Sequence, residues 1–163
     1  FNFLGIGCRI LKRKKTSNML FLKLGLLLPS HPREIVISLE ILSDKPEKTE
    51  TTTLHSPYPD VPPVEMVVLS VEEMLANKVS AVYKRNKPRD IHDMYLLLKQ
   101  GTAINAKIIT KKNPRFNLKS FRAKLLEKRD EWKSLEPLIV TKLPPIQDEV
   151  EFILSCFEKS GLV

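Results

Sequence analysis

Hydrophobic positions along the chain fall into two regimes, one of period two and one of helical period. Asn18 to Leu28 and Glu34 to Leu42 are β-like runs, the second with an Ile35, Ile37, Leu39, Ile41 alternation. Pro29-Ser30-His31-Pro32 between them is a turn, so the two runs should pair as an antiparallel hairpin whose register buries the Ile/Leu face. The preceding residues 8 to 16 are polar and basic. An isolated hairpin is marginal in water, so further strands are required. From Ser43 to Pro63, prolines 46, 57, 59, 62 and 63 forbid a regular helix and make a long connection, within which Thr51 to Leu54 has the makings of a short edge strand. Val64 to Leu69 predicts a brief buried strand.

The period then changes. Ser70 with Glu73 three residues on forms a capping-box pattern, and a helix is expected from Val71 to about Lys84. Asn86-Lys87-Pro88 breaks it, and a second helix from about Arg89 to Lys99 should stop at Gly101, giving a helical hairpin. Thr102 to Asn117 is polar and basic. A third helix takes up Leu118, Phe121, Leu125, Trp132 and Leu135 until Pro137. After Pro144-Pro145, Ile146 to Lys159 carries Val150, Ile153, Leu154 and Phe157 on one stripe. Aromatic and Met residues at this spacing are core rather than a cofactor site.

Composition narrows the classes. At 163 residues and 42% hydrophobic, the chain can bury a core without staples. Cys8 and Cys156 stand in no CxxC or metal-ligand spacing, which excludes a disulfide framework and a zinc site and suits a reducing, cytoplasmic setting. The longest apolar stretch, Met19 to Leu28, is interrupted by Lys23 and is too short to span a bilayer. The chain starts at Phe1 without a signal-peptide pattern, and an upstream portion is expected to be missing. A net charge of +8 favours polyanions such as RNA, DNA or nucleotide phosphates, although runs such as Lys12 to Lys15 and Lys111 to Arg115 read equally well as solvated surface.

Candidate chemistry lies on the helical hairpin. Val71, Leu75, Lys78 and Val82 are nearly in line on a helical wheel, so Lys78 interrupts an apolar stripe. An ammonium there must snorkel or face a carboxylate or phosphate. Asp90 and Asp93 border the apolar face of the second helix, where either aspartate can approach Lys78; the plainer alternative is a cap at Asp90 and an Arg89–Asp93 pair. His92 falls on the polar side with Lys99 and is a weak candidate for any role.

Val71 to Leu98 resembles the EExxAxKxxAxxxRxxxRDxxDxYxLL signature of AbiEii/AbiGii-type toxin nucleotidyltransferases, with Lys78, Arg85, Arg89, Asp90, Asp93 and Tyr95 at its marked positions. The resemblance implies an α+β fold. Residues 1–69 would form part of a nucleotidyltransferase mixed sheet, a β-hairpin with its Pro-rich connection, and residues 70–163 a helical C-terminal lobe. It further implies Mg²⁺ held by clustered carboxylates around a nucleoside triphosphate, whose α-phosphate is attacked by a hydroxyl. Carried over by position, Glu40 is the third metal-binding carboxylate, Lys78 contacts the triphosphate, Asp90 orients it or acts in acid–base chemistry, and Arg85, Arg89 and Asp93 complete the nucleotide site. Glu40 reads equally as an exposed residue on a half-buried strand.

The family pattern also places a Gly-Ser turn and an acidic pair upstream of the hairpin, and the 163 residues contain neither. Nucleotide transfer to a nucleic acid such as tRNA, or to a protein hydroxyl, is therefore not expected from this chain alone. The alternative is a catalytically dead remnant that binds RNA or nucleotide. A cognate antitoxin is the remaining partner that the resemblance implies.

Overall fold

A computed structural model describes residues 5–43, 45–85, 87–127, 129–140 and 142–162. The fold is α+β and separates into two compact units, residues 1–45 and 46–163. In the first, β1 (Gly7–Lys15), β2 (Met19–Leu27) and β3 (Ile35–Leu42) form an antiparallel sheet in that order. The expected hairpin is present as β2–β3, with Leu20 opposite Ile41, Leu22 opposite Leu39, Leu24 opposite Ile37 and Leu26 opposite Ile35. Every described strand pairing is antiparallel, not mixed.

The polar, basic segment supplies a further strand that the sequence did not announce: β1 pairs along β2 with a bulge between Ile10 and Lys12. Central strand β2 must satisfy backbone groups on both sides, and a basic edge strand does so while its charged ends stay in water. Arg9 also reaches Glu34, Nε to Oε1 at 2.6 Å, across Gly25. A Cβ at Gly25 would lie 2.2 Å from that carboxylate, so the clasp requires glycine or a moved Glu34. The Ile/Leu face of β3 is less buried than the register argument supposes, Ile37 and Ile41 remaining 39% and 53% exposed.

The second unit begins with an antiparallel ribbon of β4 (Thr49–Leu54) and β5 (Val64–Leu69). The edge strand suggested by Thr51 to Leu54 exists, but β5 is largely exposed, because a two-stranded ribbon offers little to bury it against. The ribbon belongs with the helices rather than with the first sheet, whereas the sequence suggested a boundary at residue 69. Ser70 N–H donates to Lys48 O at 3.2 Å, and Lys48 and Lys111 pair with Glu72 and Glu47.

Helix α1 (Val71–Lys84) starts as its cap predicts, with Glu73 N–H donating to Ser70 Oγ at 3.2 Å. Only half of the capping box forms. The Ser70 N–H is already taken by the ribbon, and the fully buried Glu73 carboxylate instead lies 2.7 Å from Lys112 Nζ. Helix α2 (Pro88–Lys99) has proline at its first position, where the missing N–H costs nothing. It ends in a Schellman motif, Gly101 (φ +86°) donating to Leu98 O and Thr102 to Leu97 O. Asn86 lies outside the described residues.

The polar, basic stretch after Gly101 contains a further helix, α3 (Ala106–Lys112), capped by Asn105. The third expected helix is two pieces, α4 (Leu118–Leu126) and a 3-10 segment (Arg129–Leu138); α5 is Ile146–Lys159. Phe121, Leu125, Trp132 and Leu135 are buried as their spacing predicts. They join Leu75, Val79 and Val82 of α1, Ile91 and Met94 of α2, and Ile153 and Phe157 of α5 in one core. Phe116, Phe121 and Phe157 pack mutually at 5.2 to 5.6 Å between ring centroids. Each such buried ring or aliphatic chain contributes about 1.5–3 kcal/mol, and together they fix α1 and α2 against α4 and α5.

Candidate functional site

The α1–α2 hairpin carries an apolar face inward and a charged cluster at its border. Leu75, Val79 and Val82 are fully buried, while Lys78 keeps 28% of its side chain exposed. Its ammonium donates to Asp90 Oδ1 at 3.3 Å and also to Asp93 Oδ2. Both aspartates therefore approach Lys78, and Asp90 is not the cap that the plainer reading supposes. From the end of α1, Arg85 adds two hydrogen bonds, Nε to Asp90 Oδ2 at 2.9 Å and a terminal nitrogen to Asp90 Oδ1 at 2.8 Å.

Burial pushes the Asp90 carboxyl up, but the Arg85 hydrogen bonds and charge, helped by Lys78, outweigh it and hold the group below the ordinary aspartate range. A carboxylate so stabilised is a poor proton acceptor, so Asp90 suits an orienting role better than acid–base chemistry. Asp93 differs, with 40% of its side chain exposed and a place on the rim. Lys78 and Asp93 together line a cleft of about 420 Å³ with Met74, Asn77 and Gln100.

Arg89 is exposed and lines a separate cleft with Asp93, His92 and Tyr95. Glu40 stands on β3 opposite Phe21, exposed and in the other compact unit. Among the described residues no three His, Cys, Asp or Glu side chains gather as a metal-ligand set. On the hairpin both oxygens of Asp90 are taken by cations, and Asp93 is held by Lys78, so these carboxylates do not fit a Mg²⁺ centre as they stand.

Sequence reasoning passed over one pair. His92 is nearly buried, and its Nδ1 lies 2.7 Å from Oε1 of Glu149 on α5, a carboxylate with no exposure. Burial drives the Glu149 carboxyl above its ordinary value despite the opposing pull of His92. A signal was present: Glu149 sits between Ile146, Val150 and Ile153 on the apolar stripe of α5, where a carboxylate needs a partner from a facing helix.

The chain matches a model of the AbiEii nucleotidyl transferase toxin family, of type IV toxin–antitoxin systems, over residues 9–155. No curated protein matches it. Among solved structures, JHP933 from Helicobacter pylori aligns with 97% of this chain and 68% of its own length, at 20% identity and a TM-score of 0.50. A second H. pylori structure, provisionally named a nucleotidyltransferase, aligns with 96% of this chain and 66% of its own, at 19% identity and a TM-score of 0.42. The chain thus spans about two thirds of the length of both.

Proposed function

Because the chain belongs to the AbiEii nucleotidyl transferase toxin family, we propose that its helical unit binds a nucleoside triphosphate at the Lys78–Asp93 pair. The single observation that carries this reading is the placing of Lys78 between a buried and an exposed aspartate beside a cleft. The exposed half of that arrangement is cheap to open, since a partly exposed ion pair contributes only about 0.2–1 kcal/mol. A phosphate oxygen replaces Asp93 on the ammonium, while Asp90, fixed by Arg85, keeps the lysine in place. Lys78 is the phosphate contact, Arg89 on the neighbouring rim is a second one, and Arg85 acts by positioning Asp90. Glu40 is proposed as a metal-binding carboxylate on family position alone.

The acceptor proposed for the family activity is a nucleic acid such as tRNA, ahead of a protein hydroxyl, and a cognate antitoxin is the proposed regulatory partner. These 163 residues, without a Gly-Ser turn and an acidic pair, are proposed to bind nucleotide without transferring it. The saturation of Asp90 by two cations favours the same outcome, binding without catalysis, since the buried carboxylate of the pair is not open to metal and only Asp93 is released when phosphate binds.

Calorimetry with ATP, GTP, CTP and UTP, with and without Mg²⁺, tests the reading on the parent chain and on Lys78→Ala. Binding by the parent that is lost in Lys78→Ala is the expected result. Equal binding by both proteins, or none by the parent, overturns it. Incubation with labelled nucleotide and RNA tests the second part, and appearance of labelled RNA would contradict it.

A further inference from the structure

A cleft of about 620 Å³ opens along α2 on the side facing the 3-10 segment and the connection to α5. Its floor is the His92 and Tyr95 rings, held in fixed relation by two rings that do not line it, Trp132 and Phe152. The His92 and Tyr95 rings stack at 6.2 Å, Trp132 meets His92 edge-on at 6.3 Å, and Phe152 meets Tyr95 edge-on at 5.4 Å. Glu149 anchors His92, and Trp132 Nε1 donates to Pro144 O at 2.9 Å, which ties the far wall to the floor. The rim is basic: Arg89, Lys99 and Lys142 line it against a single carboxylate, Asp93, which Lys78 already engages.

Arg89 and Lys99 are ten residues apart on one helix, a separation of about 15 Å. No single phosphate group bridges that distance, whereas successive phosphates of a strand do. Between them lies Tyr95, over whose ring Lys99 Nζ sits at 5.4 Å. An exposed cation–π contact is weaker than the stacking of a base on an aromatic ring, so a base displaces Lys99 from Tyr95 and leaves the ammonium free to meet a phosphate.

We propose that this cleft seats a single-stranded RNA end, one base lying on Tyr95, one phosphate on Lys99 and another on Arg89, which the RNA end shares with the triphosphate. Asp93 lines both this cleft and the smaller one that holds Lys78, so a strand seated here ends beside the proposed triphosphate position. The inference rests on the nucleotide reading for the purpose of that adjacency, but RNA binding itself is independent of it.

Fluorescence anisotropy with a short labelled single-stranded RNA tests the proposal on the parent chain, Tyr95→Ala, Tyr95→Phe, Lys99→Ala and Lys78→Ala, each checked for fold by circular dichroism. Tyr95→Ala is expected to weaken binding about tenfold and Tyr95→Phe to retain it. With Arg89 and Lys99 each engaging a phosphate, log affinity should fall against log salt with a slope of about −1.4 in the parent, and by about 0.7 less steeply in Lys99→Ala. Lys99 is exposed, so that variant remains informative if Tyr95→Ala fails to fold. Lys78→Ala should lose nucleotide and still bind RNA with the same dependence on Tyr95 and Lys99, weakened only by the freed Asp93 carboxylate, which separates failure of one reading from failure of the other. Absent or salt-insensitive binding by the parent, or unchanged affinity and salt slope in Lys99→Ala with unchanged affinity in any folded Tyr95→Ala, overturns the proposal. So does an acidic peptide that binds as tightly with the same dependence on Tyr95 and Lys99, since the cleft would then be a protein site.

Discussion

Arg85 grips both carboxylate oxygens of Asp90 across the turn between α1 and α2, at 2.9 and 2.8 Å. The clasp joins the end of one helix to the first turn of the next, and its carboxylate is fully buried. Asp90→Asn keeps the shape and removes the charge, leaving Arg85 and Lys78 without their common partner. Breaking a wholly buried pair costs about 3–5 kcal/mol, and half-exposure of Arg85 reduces that to about 2 kcal/mol here. Urea unfolding of the variant beside the parent measures it.

The pH response separates two buried carboxylates of opposite sign. Asp90 is held below its ordinary value of 3.8, so its stabilising contribution is complete above that value and is lost as pH falls through the lower folded one. Glu149 is raised above 4.5, so its charge costs stability at neutral pH, and the cost is relieved as pH falls through the raised folded value towards 4.5. Glu149→Gln is expected to match or exceed the parent in thermal midpoint at pH 7, with the difference shrinking as the medium is acidified. Melting curves from pH 7 down to 4 give the comparison; a large loss of stability at pH 7 would show that the pairing with His92 outweighs burial.

Glu73 offers a third test. Its buried carboxylate faces Lys112 at 2.7 Å, an ion pair between α1 and α3. Lys112→Met should destabilise the protein by about 2–3 kcal/mol, because a charge is left in the interior without its counterion. Adding Glu73→Gln should recover most of that loss. A double-mutant cycle by urea denaturation reads the coupling, and additive effects would argue against it.

Ser70→Ala removes one hydrogen bond at the start of the helix that carries Lys78, at a cost of about 1 kcal/mol. The substitution should leave nucleotide affinity unchanged if the cap is purely structural, which the same calorimetric titration determines.

Much of this architecture was legible because local chemistry and tertiary packing agree. The Ser70 cap, the proline start of α2 and the Gly101 stop each act within one turn of chain, and the stripe of α5 buries the residues that its period names. β1 was not legible, because its row of Lys and Arg has no strand-like alternation and becomes a strand only through the demand of β2 for a second partner. Helix α3 was hidden by its brevity: seven residues show too little period to separate from a basic loop. At the site, spacing brought Lys78 to Asp90 and Asp93, since all three lie on one helical hairpin. His92 and Glu149 are 57 positions apart, a pairing that no local pattern encodes.

The basic edge of the first sheet has a consequence for how that sheet can grow. Arg9, Lys12, Arg13, Lys14 and Lys15 run along β1, and past the bulge the strand alternation puts Arg13 and Lys15 on one face and Lys12 and Lys14 on the other. Another β1 brought alongside would meet cations on both faces at once, so like edges repel. β3 has no such row, and its Ile35–Leu42 backbone is the outer strand on the opposite side. A second copy of this sheet is therefore disfavoured at β1 and meets no such charge at β3, which makes the small sheet one-sided toward its own kind.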